Sequence, residues 1–178
     1  MISNRSYLFL PLIFLLILTG SCSDDPKPIN STQEFTTNKD SLIRMNQNAV
    51  KLEDLEIDAF VARYHWNMKK TSTGLRIMIY HPGKGVQASD NKTALIRCET
   101  RLLNGNLCYS TLPSMNREIK PGHEATESGL QEGILLMHEG DRAKLIVPSH
   151  LAFGLIGDQN KIPPGSPLIY DIELLKLK

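Results

Sequence analysis

Few residues able to do chemistry stand where they could act together. His65, His81, His123, His138 and His150 are scattered and share no metal-ligand spacing, so they are expected to be surface residues. The sequence has no Gly-x-Ser-x-Gly elbow, no phosphate-cradling Gly loop and no Cys-x-x-Cys pair. No metal or cofactor is expected on these grounds. These residue types therefore assemble no nucleophile, metal or general-base constellation, and a reaction that breaks no covalent bond fits that silence.

The elements of the domain follow from periodicity. Leu130, Ile134, Leu135 and Met137 have near-helical spacing, and Gly140 stands where that helix would stop. Ala143, Leu145 and Val147 alternate with Arg142, Lys144 and Ile146 in a strand ended by Pro148, and Leu168, Tyr170, Ile172 and Leu174 make another. Between these strands lies a turn-rich loop of about twenty residues, long enough to suggest a functional role. Upstream, Leu75, Ile77 and Ile79 alternate. Ala94, Ile96, Cys98, Thr100 and Leu102 line one face of a strand that Asn104-Gly105 turns back towards Leu107–Thr111. The expected fold is α+β: an antiparallel sheet of about five strands curled over the helix at Leu130–Met137, preceded by an N-terminal helical segment.

With 178 residues, 41% of them hydrophobic, the chain suits one domain plus attachments. A net charge of +1 without Lys/Arg clusters, and few aromatics, exclude nucleic acid as an expected partner. Arg5, the apolar run Tyr7–Leu18 and Thr19-Gly20-Ser21 before Cys22 have the layout of a secretory signal. The organisation expected is a signal peptide over 1–21, a flexible tether over 22–39, a helical segment over 40–73 and a main domain over 74–178. In the helical segment, capped by Asp40 or Ser41, one piece runs through Asn48. Leu52, Leu55, Ala59, Ala62 and Trp66 then share a stripe beside Phe60 and Tyr64. That stripe would pack on the domain, pair with its twin in a homodimer through residues 52–66, or meet another partner.

Four blocks from Gly129 onward resemble, in order and spacing, the FKBP-type peptidyl-prolyl isomerases: Gly129-Leu130-Gln131-Glu132-Gly133-Ile134, Leu151-Ala152-Phe153-Gly154, Ile162-Pro163-Pro164, and Leu168-Ile169-Tyr170-Asp171-Ile172-Glu173-Leu174. The likeness reaches back to about Gly74. It implies an isomerase acting on proline-containing segments, a reaction that needs no nucleophile, metal or general base. In this resemblance Phe153 gives a ring wall, Ile162 offers a backbone N–H to the carbonyl before proline, and Tyr170 gives a second ring. Leu130 stands where the family's pocket-floor Trp lies, Thr126 and Glu127 where Val-Ile precedes it, Cys98 for a Tyr, Cys108 for a Phe, and Tyr109 for an Asp. Weak activity and poor affinity for macrolide inhibitors are therefore expected, with partial recovery in a Leu130→Trp, Tyr109→Asp variant. A non-catalytic binding or chaperone module is the alternative, and a structural envelope lipoprotein a third.

Cys22 after Leu18-Thr19-Gly20-Ser21 resembles a bacterial lipoprotein signal. Acylation there would anchor the chain to a membrane, the outer membrane because Ser23 does not resemble the inner-membrane retention signal. The lipoprotein start, the helix before the domain and Tyr109 are most similar to the lipoprotein isomerases associated with gliding motility, which implies a role in assembling cell-surface proteins. With Cys22 acylated, Cys98 and Cys108 are the remaining thiols of an exported chain, on strands joined through Asn104-Gly105. They would form a disulfide or stay two small buried apolar side chains.

Overall fold

A computed structural model describes residues 31–111, 115–123 and 126–178. The chain divides into two compact units, Met1–Leu42 and Ile43–Lys178. In the first, the described residues belong to the start of a helix; the sheet and all described site residues belong to the second.

Helix α1 runs unbroken over Ser31–Arg63. It thus begins within the stretch assigned to a tether, and no break follows Asn48. The reason is compositional: no Gly or Pro occurs between Ser31 and Arg63, so nothing interrupts the backbone ladder. Residues 1–30, with the expected signal, Cys22 and the rest of the tether, lie outside the described residues.

The face that α1 buries is not the one its Leu and Ala spacing suggested. Ile57 and Phe60, with Val61 half-buried beside them, pack on Ile146 and Ile169 of the sheet. Leu52 is 67% exposed and Leu55 64%, and Ala59 and Ala62 are exposed too. Two stripes of similar apolarity exist on this helix, and charge decides between them. Arg76, on the sheet and almost fully buried, donates to Asp54 Oδ1 and Asp58 Oδ1 at 2.7 Å each. A buried guanidinium needs such partners, which turns the Asp54–Asp58 side, and Ile57 with it, towards the sheet. Trp66 does join this cluster, from just beyond the helix.

Seven strands, rather than about five, form one antiparallel sheet: β1 (Lys69–Lys70), β2 (Arg76–His81), β3 (Ala94–Leu102), β4 (Leu107–Ser110), β5 (Arg117–Ile119), β6 (Arg142–Val147) and β7 (Leu168–Leu177). The order is β1-β2-β6-β7-β3-β4, with β5 also paired to β3. The two extra strands, β1 and β5, have two and three residues, too short to leave an alternating pattern. Strands β3 and β7 pair along their length from Ala94↔Leu177 to Leu102↔Leu168.

Helix α2 (Ser128–Leu135) crosses the other face, where Leu130 and Ile134 meet Cys98, Leu145, Tyr170 and Ile172 in the main core. It ends five residues before Gly140. That glycine, at φ +92°, serves the turn into β6 instead. With both faces covered, β6 buries Ile146 as well as Leu145 and Val147. The α+β architecture is the one expected from the sequence.

Ile57→Ala should cost about 2–5 kcal/mol by cavity formation, whereas Leu52→Ala and Leu55→Ala should stay within about 0.5 kcal/mol. Urea unfolding of the three variants measures this, and the opposite ranking would return the Leu52 stripe to the sheet.

Candidate functional site

The strap between β6 and β7 begins with a 3₁₀ turn, Ser149–Leu151, and carries Phe153 and Ile162. Phe153, half-buried with Leu151 and Ala152, packs against a core that contains Cys98 and Cys108 from β3 and β4, Leu130 from α2, Tyr170 from β7, and Ile162 itself. Six of the expected site residues therefore share one neighbourhood. Leu130 is fully buried and makes an aliphatic floor. The Cys108 thiol lies 3.7 Å from the Lys161 carbonyl, in contact with the strap.

Asp158 was not anticipated, and it rearranges the polar part of the site. Its Oδ1 accepts from the N–H of Asn160 at 2.9 Å and of Ile162 at 2.7 Å, while Oδ2 accepts from the Tyr109 hydroxyl. Two expectations are corrected by these bonds. The Ile162 N–H already has an acceptor and is not a free donor for a substrate carbonyl. The carboxylate expected to be missing because Tyr109 replaces Asp is supplied from the facing loop. A second carboxylate at 109 would stand beside Asp158 and repel it, so Tyr109→Asp is no longer a restoring change. The signal was in the sequence: an Asp two residues before Asn160 in a turn-rich loop is the usual Asx-turn arrangement.

These bonds also set the protonation of the loop. Desolvation of Asp158 opposes ionisation, but the Tyr109 hydroxyl and the N–H groups of Ile162, Asn160 and Lys161 outweigh it and hold the carboxyl at about 2. The phenol of Tyr109 is pushed up, first by its bond to Asp158. Lys161 lies 5.3 Å over the same ring.

The opposite wall is charged rather than aliphatic. Arg117 Nη2 stands 3.6 Å from Glu127 Oε2 and 3.4 Å from the Thr126 hydroxyl. Glu127 is the N-cap residue of α2; no side chain caps the helix, and the Glu127 backbone carbonyl accepts from the N–H groups of Leu130 at 3.0 Å and Gln131 at 3.1 Å. Tyr170 is buried, and among the described residues its hydroxyl has no hydrogen-bond partner within 3.5 Å. Burial raises its pKa, and the nearby charge of Glu127 raises it further. Arg117 escaped the sequence reading because β5, which carries it, is too short to show a pattern.

The two thiols are both free and buried, so the disulfide expectation is not met. Register explains it. Cys98 faces Thr111, whose N–H donates to its carbonyl, and Cys108 sits at the bulge between the Thr100↔Tyr109 and Arg101↔Leu107 pairs. Three residues of strand, about 10 Å, separate Cys108 from the position opposite Cys98. Burial pushes both thiols up, which leaves them unreactive.

A sheet wrapped on one short helix, with an aromatic strap over an aliphatic floor, defines a small apolar binding domain. Residues 84–175 match the family model of the FKBP-type peptidyl-prolyl cis-trans isomerases, and the chain belongs to that family. It is similar to the FKBP-type peptidyl-prolyl cis-trans isomerase FkpA of Escherichia coli K12, 30% identical over 111 residues, which cover 62% of this chain and 40% of that protein. The chain therefore spans under half the length of that relative. Its fold matches the crystal structure of a peptidyl-prolyl cis-trans isomerase from Pseudomonas syringae pv. tomato, with a TM-score of 0.61 and 24% identity over 74% of this chain and 95% of that one. The crystal structure of Escherichia coli FkpA gives a TM-score of 0.59 and 23% identity over 86% and 74% of the two chains.

Because Asp158 is held below its ordinary 3.8, the order it gives the loop should be complete above pH 3.8 and lost as pH falls towards about 2. Amide exchange at Ile162 and Asn160 across that range measures it. Asp158→Asn should remove the titration and speed exchange at neutral pH; an Ile162 amide indifferent to acid would show the bond to be absent.

Proposed function

We propose that the domain catalyses cis–trans isomerisation of X-Pro bonds, at a low rate, in exported or envelope proteins. The observation that carries this is that Phe153 packs against the core cluster that holds Leu130, Tyr170, Ile162 and Cys108, where the family resemblance puts an apolar slot. The reaction is rotation about an amide whose resonance gives a barrier of about 18–20 kcal/mol, somewhat lower at proline. The twisted imide is less charge-separated than the planar one, so an apolar wall favours it while a donor holds the carbonyl. Since the Ile162 N–H donates to Asp158, its use as the donor to the carbonyl requires that bond to be exchanged on binding. Leu130 gives a shallower floor than an aromatic ring would. Loss of that contact, with charge at Arg117 and Glu127, plausibly removes several kcal/mol of transition-state binding, or about two to four decades of rate.

A specific observation favours a second reading, a binding or chaperone module that does not turn proline over. The Arg117–Glu127 pair and the unpartnered Tyr170 hydroxyl make one wall of the slot polar, which suits holding a segment through hydrogen bonds better than desolvating an imide. In either case the partners are proline-containing segments of exported proteins, and the likeness to gliding-motility lipoproteins makes cell-surface assembly the setting. The exposed Leu52, Leu55, Ala59 and Ala62 support a homodimer through residues 52–66. Among the described residues no helix is long and apolar enough to cross a membrane, and attachment to the envelope is assigned to lipid on Cys22.

Initial cis-to-trans rates in X-Pro peptides test the main reading. The wild type should exceed the uncatalysed rate, bind macrolides poorly, and lose its activity in Phe153→Ala. A wild type that binds prolyl peptides yet matches the uncatalysed rate at high concentration would leave the binding module. For the anchor, intact mass and detergent partitioning of the native protein should show an acylated N-terminal Cys22 that Cys22→Ala abolishes; an unmodified, soluble wild type would exclude it.

A further inference from the structure

A carboxylate on α1 reaches the strap that carries Phe153. Ser149 opens the 3₁₀ turn, is buried, and receives no cap from Pro148 before it. Its N–H donates to Glu53 Oε1 at 2.5 Å and its hydroxyl to Glu53 Oε2 at 2.7 Å, across 96 residues of sequence. The carbonyl of the same Ser149 accepts from the N–H groups of Ala152 at 3.0 Å and Gly154 at 2.8 Å, the two neighbours of Phe153. Gly154 in turn accepts from Gly165 N–H at 2.9 Å, on the segment that follows Ile162. One relay of hydrogen bonds therefore runs from Glu53 through Ser149 to both sides of Phe153 and onward to the Ile162 loop. The other ties on the 3₁₀ turn are neutral and longer: Ser128 Oγ to the Leu151 carbonyl at 3.3 Å, and His150 Nε2 with the Thr73 carbonyl at 3.2 Å. Bonds to a carboxylate are about twice as strong as neutral ones, so Glu53 dominates the anchoring.

The anchor is fixed in its turn. Asp54 and Asp58 hold Arg76 on the sheet, and Ile57 and Phe60 pack on Ile146 and Ile169. The carboxylate of Glu53 thus stands on a helix docked through charge and apolar contact on the same side.

We propose that Glu53 is a positioning residue of the proline site: it places Ser149, and through Ser149 the ring of Phe153, so that α1 is part of the site's scaffold rather than a spacer ahead of the domain. The kinetic part of this inference rests on the isomerase reading; the structural part does not.

The test compares Glu53→Ala, Glu53→Gln and Asp58→Ala in the full chain by two readouts, the NMR signals and amide exchange of Phe153 and Gly154, and kcat/KM on prolyl peptides. Glu53→Ala should shift the Phe153 signals, speed Gly154 exchange and lower kcat/KM by at least about tenfold, since two charged hydrogen bonds are lost. Glu53→Gln should recover most of this, because its amide oxygen accepts from Ser149 N–H and its NH₂ donates to Ser149 Oγ. Asp58→Ala loosens Arg76 without touching Ser149, and should lower stability while leaving the Phe153 signals in place. Unchanged Phe153 and Gly154 signals in folded Glu53→Ala would overturn the proposal, as would an equal disturbance of those signals by Asp58→Ala. If Glu53→Ala does not fold, Ser149→Ala deletes one of the two bonds and should shift Phe153 by less; no shift there overturns the proposal equally. A wild type without isomerase activity would sink the functional reading, and the spectra would still decide the positioning role.

Discussion

The close approach of α2 to the sheet is the constraint from which the site follows. A Cβ on Gly133 would come within 2.4 Å of Leu145 Cδ1, and one on Gly129 within 2.4 Å of Val147 Cγ1. Such distances are below any tolerable contact, so the helix lies this deep only because both positions are Gly. Depth brings Leu130 fully into the core against which Phe153 packs. It also sets the N-terminus of α2, with Glu127 at its cap, beside Tyr170 and Arg117. A side chain at either glycine would lift Leu130 and Glu127 together.

The parts of this arrangement that were legible in the sequence are those written in periodicity. Alternation along Ala94–Leu102, Arg142–Val147 and Leu168–Leu174 placed three long strands, and helical spacing after Gly129 placed α2, because burial of one face imposes a period that composition reveals. The apolar site residues came together for the same reason: Phe153, Ile162, Tyr170, Leu130, Cys98 and Cys108 are core residues first. What periodicity does not encode is pairing between distant polar groups. Asp158 with Tyr109, and Glu127 with Arg117, join loops and short strands whose proximity is set by topology. The choice between two apolar stripes on α1 failed similarly. It turned on the buried Arg76, which demanded Asp54 and Asp58. The cysteine pair failed on register, since Glu99 lies opposite Ser110 and Thr100 opposite Tyr109, which leaves Cys98 and Cys108 on different rungs.

Charge inside the site carries a definite energetic meaning. An Arg–carboxylate pair at a pocket wall is desolvated further when a ligand covers it, and that cost is repaid only if the ligand supplies hydrogen bonds. A bare prolyl ring cannot supply them; the peptide groups on either side can. The buried Tyr170 hydroxyl, left without a partner, has the same preference for a ligand that brings a polar atom. These groups lower the advantage of the apolar twisted imide over the planar one while favouring an extended backbone. On the proposed reading, weak turnover and retained binding then have one cause rather than two.

Strands β6 and β7 then connect this site to the helix on the far side. Side chains alternate across a strand, so Leu145 and Tyr170 face α2 and the slot, while their neighbours Ile146 and Ile169 face Ile57 and Phe60 of α1. Leu145 pairs with Tyr170, and Ile146 with Ile169, in adjacent rungs of the ladder. A tilt of α1 against Ile146 and Ile169 cannot be absorbed without moving Leu145 and Tyr170, because interiors packed at crystal-like density transmit displacement. The same helix also holds the strap through Glu53 and Ser149. Leu145 and Tyr170 of the core and Ser149 of the strap are therefore all referred to one element, α1.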